Sequence, residues 1–385
     1  MPLRIEPVED ARGRRRFVDL PFRLFGQDPT WVPPLRLSVL DRISPRHPAL
    51  EHQETQLWMA WRDGRPVARL GACVDRMFNE LQDLSWGWLG FFESTDDQEA
   101  ADALFERGWA WAAGRGATVC VGPASFTTND ECGLQVEGFD HPPLILTPQN
   151  PPYYERLWTR AGWTPAMDLW GWHFDRLQAV LSDRQRAVLE RLQTRSQLRV
   201  RQIRMDRFDE EVGRFFSLYN SAWARNWGFA PMTEAEVRHL AKDLKRIIDP
   251  EVALFVENAK GEAVAAALTL PDANEPMARV RSGRLLPIGW YHLLTGMRHV
   301  SRYRVFALGV RPDLQNLAIG PLLYGEIIRR LEAKPGVLEG EASWILASND
   351  RMNTNIVAAG GKRYKTWRLF ERQLAPAPTT ASPST

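Results

Sequence analysis

The chain has 385 residues, of which 44% are hydrophobic and 25% charged, a balance typical of a globular protein. Its length favours two domains of ordinary size over one. The formal net charge of +2 excludes a nucleic-acid-binding protein that relies on bulk positive charge.

The cysteines and the two ends predict a protein of the reducing cytoplasm. Cys73, Cys120 and Cys132 follow no metal-binding spacing, so we expect no metal, and their odd number argues against a disulfide scaffold. The first residues lack the apolar core of a secretory signal, and no run of about 18 apolar residues predicts a transmembrane helix. Residues 375–385 are rich in Pro, Ala, Ser and Thr and are predicted to be disordered.

The first half predicts strands, a helix, a strand, a second helix and a closing strand. Two strand-like segments flank Asp63-Gly64, a hairpin signal, and a good N-cap region precedes the first helix. The predicted strands cover residues 56–61, 66–74, 85–92, 117–121 and 169–174, and the predicted helices 96–113 and 152–160.

The second half repeats that order of elements after a charged connection. Residues 176–197 are predicted to form a surface helix that links a domain at 1–175 to a domain at 198–374. Together the elements predict an α/β fold in which each half has a mixed sheet. The predicted strands are at 198–201, 252–257, 263–270, 303–310, 339–344 and 362–372, and the helices at 210–222, 234–247, 319–331 and 353–359.

Between the strand that ends at Val310 and the helix that follows lies a loop of small residues, which predicts an anion site. Small side chains let backbone N–H groups crowd around an anion, and the helix N-terminus adds the positive end of its dipole. We therefore expect a phosphate-bearing ligand at Gln315, Asn316, Leu317, Ala318, Ile319 and Gly320.

This strand–loop–helix resembles the coenzyme A pyrophosphate motif of the GNAT acyltransferase superfamily, Q/R-x-x-G-x-G/A. Gln315 and Gly320 match the motif, whereas Ala318 stands where the first Gly is usual. Asn349 has nearly the usual spacing before Gly360, and Ile356 occupies about the position of the usual proton-donating Tyr. The resemblance implies tandem GNAT folds and acyl-CoA as a co-substrate, with no tightly bound cofactor.

The corresponding helix start in the first half carries Glu93, Asp96, Asp97 and Glu99. These carboxylates would repel phosphate by about 1 kcal/mol per pair near water. We therefore predict that the first half is a degenerate GNAT fold and that coenzyme A binds only the second half.

Two segments are longer than a minimal GNAT fold needs. Residues 122–150 form a polar insertion that includes Asn129 and Asp130 and suits either a functional loop or a clamp between the halves. Residues 285–301 are apolar and aromatic with several arginines nearby, which fits an inserted core helix, the border of an acyl tunnel or contact with an anionic membrane. In the last case the protein would be cytoplasmic and peripheral at the inner face of the membrane.

Almost the whole chain resembles the double-GNAT family related to bacterial ceramide synthase. The residues that carry the resemblance lie at 90–105, 122–140, 150–157, 226–236 and 343–353. It implies an N-acyltransferase that moves an acyl group, plausibly long-chain, from coenzyme A to the amine of a sphingoid base or similar lipid. The alternatives are an acyl-CoA-binding sensor or scaffold without turnover, and transfer from aminoacyl-tRNA, which would require a basic groove.

The resemblance also implies roles for single residues. Backbone N–H groups near Gly309 or Val310, next to Leu308, would stabilise the oxyanion. Glu341, which alternates with Ser343 on one strand face, is our predicted general base, with His292 and Asp130 as runners-up. Asn349 would contact coenzyme A. The acceptor would bind at Asn129, Trp223, Asn226 and Trp227.

The sixteen tryptophans allow two interpretations. Pairs two residues apart on strands, such as Trp86 and Trp88, point the same way. They could pack a core between the halves, or they could line an apolar tunnel for a fatty chain.

Overall fold

The computed structural model describes residues 2–175, 187, 191 and 198–374. The predicted linking helix, apart from residues 187 and 191, and the predicted tail lie outside the described residues. Where the chain is described, the predicted strands and helices occur in the predicted order in each half, but the prediction missed several further elements, including a helix of 15 residues at Ala11–Phe25.

Within its described residues, the first half contains the predicted elements together with two further strands and three further α-helices. The predicted helix at 96–113 begins at Gln98 because the Asp97 side chain accepts the backbone N–H of Ala100 (3.1 Å) and caps it. The strands are β1 (Arg4–Pro7), β2 (Gln53–Arg62), β3 (Arg65–Asp75), β4 (Trp86–Ser94), β5 (Val119–Gly122), β6 (Leu134–Glu137) and β7 (Thr164–Asp175). The helices are α1 (Ala11–Phe25), α2 (Arg36–Arg42), α3 (Arg76–Gln82), α4 (Gln98–Ala113) and α5 (Tyr153–Arg160).

The second half follows the same plan. Its predicted helix at 353–359 begins earlier, at Asp350, because the Asn349 side chain accepts the backbone N–H of Met352 (3.1 Å). The strands are β8 (Arg199–Gln202), β9 (Ala253–Glu257), β10 (Ala263–Pro271), β11 (Arg302–Val310), β12 (Glu339–Leu346) and β13 (Lys362–Gln373). The helices are α6 (Phe208–Ala222), α7 (Glu234–Leu244), α8 (Asn274–Met277), α9 (Gly289–Gly296), α10 (Ile319–Glu332) and α11 (Asp350–Ala358).

The described strands form one mixed sheet that runs through both halves. Its order is β1-β2-β3-β4-β5-β13-β7-β12-β11-β10-β9-β8, and β6 pairs with β13 beside this path. The pairs β4–β5 and β11–β12 are parallel, whereas β2–β3, β10–β11 and β7–β13 are antiparallel. The predicted mixed α/β fold is confirmed.

The closing strands are exchanged between the halves. The last strand of the first half, β7, pairs with β12, and the last strand of the chain, β13, pairs with β5 of the first half. The two exchanged strands also pair with each other, so they form the seam of the sheet. Each half therefore needs a strand from the other to complete its sheet.

The parallel pairs open differently in the two halves. β11 pairs with β12 only from Arg302 to Val305, and the two strands then separate. In the first half the chain after β5 stays against β4, because Ala124 donates its backbone N–H to the Leu89 carbonyl (2.8 Å). A gap that could admit a ligand between splayed strands is thus present between β11 and β12 and closed beside β4.

Helix α10 is held by an apolar face packed on the sheet. Ile319, Leu323 and Ile327 recur at helical spacing and are buried. They belong to a core that also contains Trp172 and Phe174 from β7, so the first half contributes to the packing that positions α10. Among the described residues, no helix is both long and apolar enough to cross a membrane.

Candidate functional site

A cavity of about 1830 Å³ lies between the two halves. Its wall includes the separated part of β11, the facing residues of β12, the loop before α10, parts of α6 and α7, and the long loop after β5. Most of the predicted site residues line it, namely Asn129, Asp130, Trp223, Asn226, Trp227, Leu308, Gly309, Val310, Gln315, Asn316, Ala318, Gly320 and Asn349. Leu317, Ile319, His292 and Glu341 are outside this wall.

The start of α10 is open towards the cavity. No side chain caps this helix, and the first N–H groups of any helix lack intrahelical acceptors. At Gly320 a Cβ atom would meet nothing within 4 Å. These features leave room for an anion at the positive end of the helix dipole.

Arg351 adds a positive charge at the same loop, and the sequence interpretation missed it. From α11 its guanidinium donates to the Gln315 carbonyl (3.1 Å) and to Asn316 Oδ1 (3.2 Å). It lines the cavity and is exposed. Arg351 is 31 positions from Gly320 in the sequence. Only the contact between α11 and this loop in the folded protein shows that Arg351 lies there.

The equivalent helix start in the first half is already occupied by the protein's own carboxylates. Asp97 caps α4, and Arg62 donates to both Asp97 (2.8 Å) and Glu99 (2.8 Å). Asp96 pairs with Arg156. The start of α4 is therefore occupied by the protein's own side chains, unlike the start of α10.

Three aromatic side chains, on α6 and directly after its end, cover the part of β11 that has separated from β12. The rings of Phe215, Tyr219 and Trp223 follow one another, with 5.1 Å between the centroids of Tyr219 and Trp223. A Cβ on Gly309 would lie 2.2 Å from the Trp223 ring. Glycine at this strand position thus lets the ring rest directly on the backbone of β11.

The long loop after β5 holds the segment that follows α6. Thr128 Oγ1 donates to the Gly228 carbonyl (2.6 Å), and Asn129 Nδ2 donates to the Ala230 carbonyl (3.0 Å). The Tyr219 hydroxyl donates to Asn129 Oδ1 (2.5 Å). Asn129 therefore lines the cavity as part of a clamp between the halves, with both ends of its amide engaged by protein.

Asp130 also lies in the wall, but its carboxylate is fully paired. Arg42 donates to its two oxygens at 2.9 and 2.8 Å, and the Phe126 backbone N–H donates at 2.7 Å. The charge of the guanidinium stabilises the ionised carboxylate. This arrangement gives Asp130 the role of holding the loop against α2.

The next residue, Glu131, faces the cavity without such a partner. Among the described residues no side chain or backbone group hydrogen-bonds its carboxylate, although its backbone carbonyl accepts the N–H of Ser125 (3.1 Å). The Glu131 side chain is exposed to the cavity. Protein surrounds this part of the cavity, so the carboxylate is partly shielded from bulk water. Burial, with Glu93 and Asp130 nearby, raises the pKa of Glu131 to about 7, against the opposing effect of Arg304 and Arg69.

Glu93 lies near Glu131 and belongs to a satisfied cluster. Its carboxylate accepts the Tyr154 hydroxyl (2.8 Å) and lies 3.6 Å from the Arg69 guanidinium. Burial raises the pKa of Glu93, and Arg69 opposes this effect.

Glu341, the predicted general base, is buried in the sheet. Its carboxylate accepts hydrogen bonds from the hydroxyls of Ser343 and Tyr364, and Arg304 lies 3.8 Å away. The predicted alternation with Ser343 is correct, but both oxygens are engaged and the side chain lies outside the cavity wall. Buried carboxylates with this many partners commonly hold strands together.

His292 lies on α9 outside the cavity wall, where its ring contacts Tyr291 (6.2 Å between centroids).

At the rim of the cavity, Asp41, His47 and His239 bring potential metal-ligand atoms within 4.8 Å of one another. A hydrogen bond between His239 Nε2 and Asp41 Oδ2 (2.6 Å) accounts for part of this cluster. His47 Nδ1 accepts the Ala49 N–H (3.3 Å), which leaves the proton on Nε2 of the neutral ring.

Comparisons with known proteins agree with the fold and the resemblance. The chain is 35% identical to bacterial ceramide synthase of Caulobacter vibrioides over 379 residues, which cover 97% of this chain and 98% of that protein. It is 33% identical to Protein YghO of Escherichia coli over 365 residues, covering 94% and 93%. No protein-family model matches the chain.

Solved structures with low sequence identity share the fold. A tandem GNAT protein from the clavulanic acid biosynthesis pathway superposes with a TM-score of 0.58 at 13% identity and covers 98% of this chain and 100% of its own. A GCN5-related N-acetyltransferase from Sphaerobacter thermophilus gives 0.51 at 15% identity, covering 98% and 97%. The chain therefore belongs to the double-GNAT family of N-acyltransferases related to bacterial ceramide synthase.

Proposed function

We propose that this enzyme transfers an acyl group, plausibly long-chain, from coenzyme A to the amine of a lipid-like acceptor such as a sphingoid base. The observation that carries the proposal is that one cavity joins the uncapped start of α10 to an aromatic wall between the halves. The likeness to a protein named for ceramide synthesis supports the choice of acceptor.

The donor fits the second half. The diphosphate of coenzyme A would bind the first N–H groups of α10 beside Gly320, with Arg351 as a neighbouring positive charge. The thioester would then reach the gap between β11 and β12. Because β11 has no strand partner on that side beyond Val305, backbone N–H groups near Gly309 are free to stabilise an oxyanion.

The size and lining of the cavity fit two lipid-like substrates. Pockets for small molecules usually have about 300–1,000 Å³, and this cavity is larger. Its wall carries the rings of Phe215, Tyr219 and Trp223 together with Trp227 and Phe229. An acyl chain and an aliphatic amine would both exchange water for this apolar surface.

A surface beside the cavity suits contact with an anionic membrane, one of the alternatives that the sequence left open for 285–301. Leu286, Ile288, Trp290, Tyr291 and Leu294 are 49–75% exposed, and Trp290 and Leu294 also line the cavity. From residue 276 to residue 312 the chain has seven arginines and no acidic residue. Exposed Trp, Tyr and Leu with nearby arginines are typical of interfacial binding, and lipid substrates could pass directly into the cavity.

Calorimetry and thiol release test the proposed reaction. We expect palmitoyl-CoA to bind the intact chain, and free thiol to form when sphinganine is added. Amino acids are amine acceptors that lack a long aliphatic chain, and we expect less free thiol to form in their presence. Absence of palmitoyl-CoA binding would overturn the proposal, and binding without thiol release for any amine would support the acyl-CoA sensor instead.

A further inference from the structure

We propose that Glu131 is the general base of the acyl transfer, the group that accepts the proton from the attacking amine. The inference rests on the proposed function and adds a catalytic residue to it. Three observations carry it, namely the fixed position of Glu131 in the cavity wall, its unpartnered carboxylate and its electrostatic surroundings.

The backbone around Glu131 is held in place. The Glu131 carbonyl accepts the Ser125 N–H (3.1 Å), and the neighbouring residue Cys132 forms an isolated β-bridge with Ala124. Cys132 is buried in the core, so the side chain before it is turned the other way, into the cavity. A carboxylate on a braced segment is positioned more sharply than one on a free loop.

The carboxylate has unused hydrogen-bonding capacity. Among the described carboxylates around the cavity floor, Asp130 is paired with Arg42 and Glu93 with Tyr154 and Arg69. Glu341, which lies behind the wall, is engaged by Ser343 and Tyr364. Glu131 retains its acceptor sites for an amine, which in its charged form offers up to three N–H donors.

Glu131 lies where the two halves meet. Its electrostatic neighbours come from both, with Arg69 and Glu93 on β3 and β4 and Arg304 on β11. Arg304 immediately precedes Val305, after which β11 separates from β12. An acceptor that enters between the halves would therefore meet Glu131 close to the gap that holds the thioester.

The environment suits a base near neutral pH. A general base works best when its pKa lies near the working pH, and burial raises the pKa of Glu131 to about 7. The neighbouring carboxylate, Asp130, is instead engaged by two hydrogen bonds from Arg42.

One proton passes from the acceptor to Glu131, and a second passes to the departing thiolate. The acceptor arrives as an ammonium ion and gives one proton to the Glu131 carboxylate. The freed lone pair forms the C–N bond with the thioester carbonyl carbon. The C–S bond then breaks, and the thiolate leaves with the electron pair and takes up a second proton released by the nitrogen. The products are the amide, free coenzyme A thiol and protonated Glu131, which loses its proton to water.

The test compares Glu131→Gln and Glu131→Asp with the wild type, using palmitoyl-CoA and sphinganine as probes. We expect Glu131→Gln to lower kcat/KM by about 10²–10⁴-fold and to abolish the rise of rate through about pH 7. The amine of sphinganine also titrates, but it contributes equally to the pH–rate profiles of the wild type and all variants. Glu131→Asp, which keeps a carboxylate, should retain the rise with reduced kcat. Asp140→Asn, in the same loop with an exposed side chain, should behave as wild type.

Calorimetry of palmitoyl-CoA binding separates this inference from the proposed function. All variants should bind palmitoyl-CoA as the wild type does, which also reports that they fold. If the wild type turns over and Glu131→Gln retains its rate or the rise near pH 7, Glu131 is not the base although the reaction stands. If the wild type binds palmitoyl-CoA without turnover, both the proposed reaction and the role of Glu131 are overturned.

Discussion

Neighbouring residues decide which carboxylate can do chemistry. The sequence suggested Glu341 and Asp130 as candidate bases, but Ser343, Tyr364 and Arg304 surround Glu341 and Arg42 holds Asp130. Glu131, next to Asp130, was not among the predicted site residues. Glu131 alone among these three has no hydrogen-bond partner for its carboxylate within the described chain. A carboxylate that borders the cavity without a partner stays available for proton transfer, whereas the two paired carboxylates hold the fold together.

Replacing Glu131 by Gln should stabilise the protein at high pH. The pKa of the folded carboxyl is raised from 4.5 to about 7, so wild-type stability falls as the pH rises through this interval. Glu131→Gln lacks this loss, and we expect its melting temperature to exceed that of the wild type by about 1–2 °C at pH 8, a modest difference because the Glu131 side chain is in contact with solvent. Below about pH 4.5 the difference should vanish. A variant that melts lower than the wild type at pH 8 would contradict the unpaired state of Glu131.

Glu341→Gln should have the opposite effect on stability. The substitution leaves the buried guanidinium of Arg304 without its nearest carboxylate, which costs about 3 kcal/mol of unfolding free energy. Denaturant unfolding measures this loss, with Glu339→Gln on the same strand, where the side chain is exposed, as the control. If Glu341 were instead the base, its variant would unfold like the control and lose the rise of rate near pH 7.

Gly320 provides the sharpest test of the anion site. Gly320→Asp should abolish palmitoyl-CoA binding in calorimetry, because the carboxylate would occupy the space where phosphate meets the helix start. Gly213→Asp is a matched control, since Gly213 is also helical, is exposed and has no atom within 4 Å of an added Cβ. Equal affinity of both variants for palmitoyl-CoA would place the ligand elsewhere.

At the scale of elements, two helices with the same place in the fold begin differently. Asp97 caps the start of α4 and is itself paired with Arg62. In contrast, α10 begins without a side-chain cap, and Arg351 lies beside the loop that precedes it. The sequence predicted this asymmetry from the acidic residues at 93–99. The tertiary structure adds a second reason, because the chain after β5 closes the gap beside β4 that stays open between β11 and β12.

The segment around α9 should bind anionic vesicles. We expect the intact chain to sediment with vesicles that contain phosphatidylglycerol, more weakly with pure phosphatidylcholine, and less at high salt. The double variant Trp290→Ser/Leu294→Ser should lose most of this binding. The control variant Leu81→Ser/Val357→Ser removes two equally exposed apolar side chains from α3 and α11. Equal loss in both double variants would rule out a specific membrane-binding surface at α9.

At the scale of the whole molecule, the exchanged strands make the halves interdependent. β7 completes the sheet of the second half and β13 that of the first, so neither half has its full set of strand partners alone. The cavity lies between these linked halves. Its geometry therefore depends on the seam formed by β7 and β13.

Thermal unfolding should follow a single calorimetric transition because of this exchange. Trp367 on β13 is fully buried, and Trp367→Ala should cost about 3–5 kcal/mol. We expect the whole transition to move to lower temperature as one unit. Two resolved transitions, or a shift of only one of them, would show that the halves unfold independently.

The sequence by itself determined the order of most strands and helices, although not those before residue 53, and it determined the small-residue loop before α10, the acidic helix start in the first half and the family. These features are local, because hydrophobic periodicity, caps and motif spacing act over a few residues. The predicted phosphate loop residues lie at the cavity for the same reason, except Leu317 and the buried Ile319.

Only the tertiary structure decided which strands pair across the halves and which polar groups share the cavity. The exchange of β7 and β13 depends on contacts between residues about 200 positions apart, which no local pattern records. Arg304 and Tyr364 beside Glu341, and Arg42 beside Asp130, come from distant parts of the chain, so the sequence around these carboxylates could not reveal which carboxylate is free. The electrostatic environment of a side chain is set by what folding brings around it, and that environment separates a structural carboxylate from a candidate base.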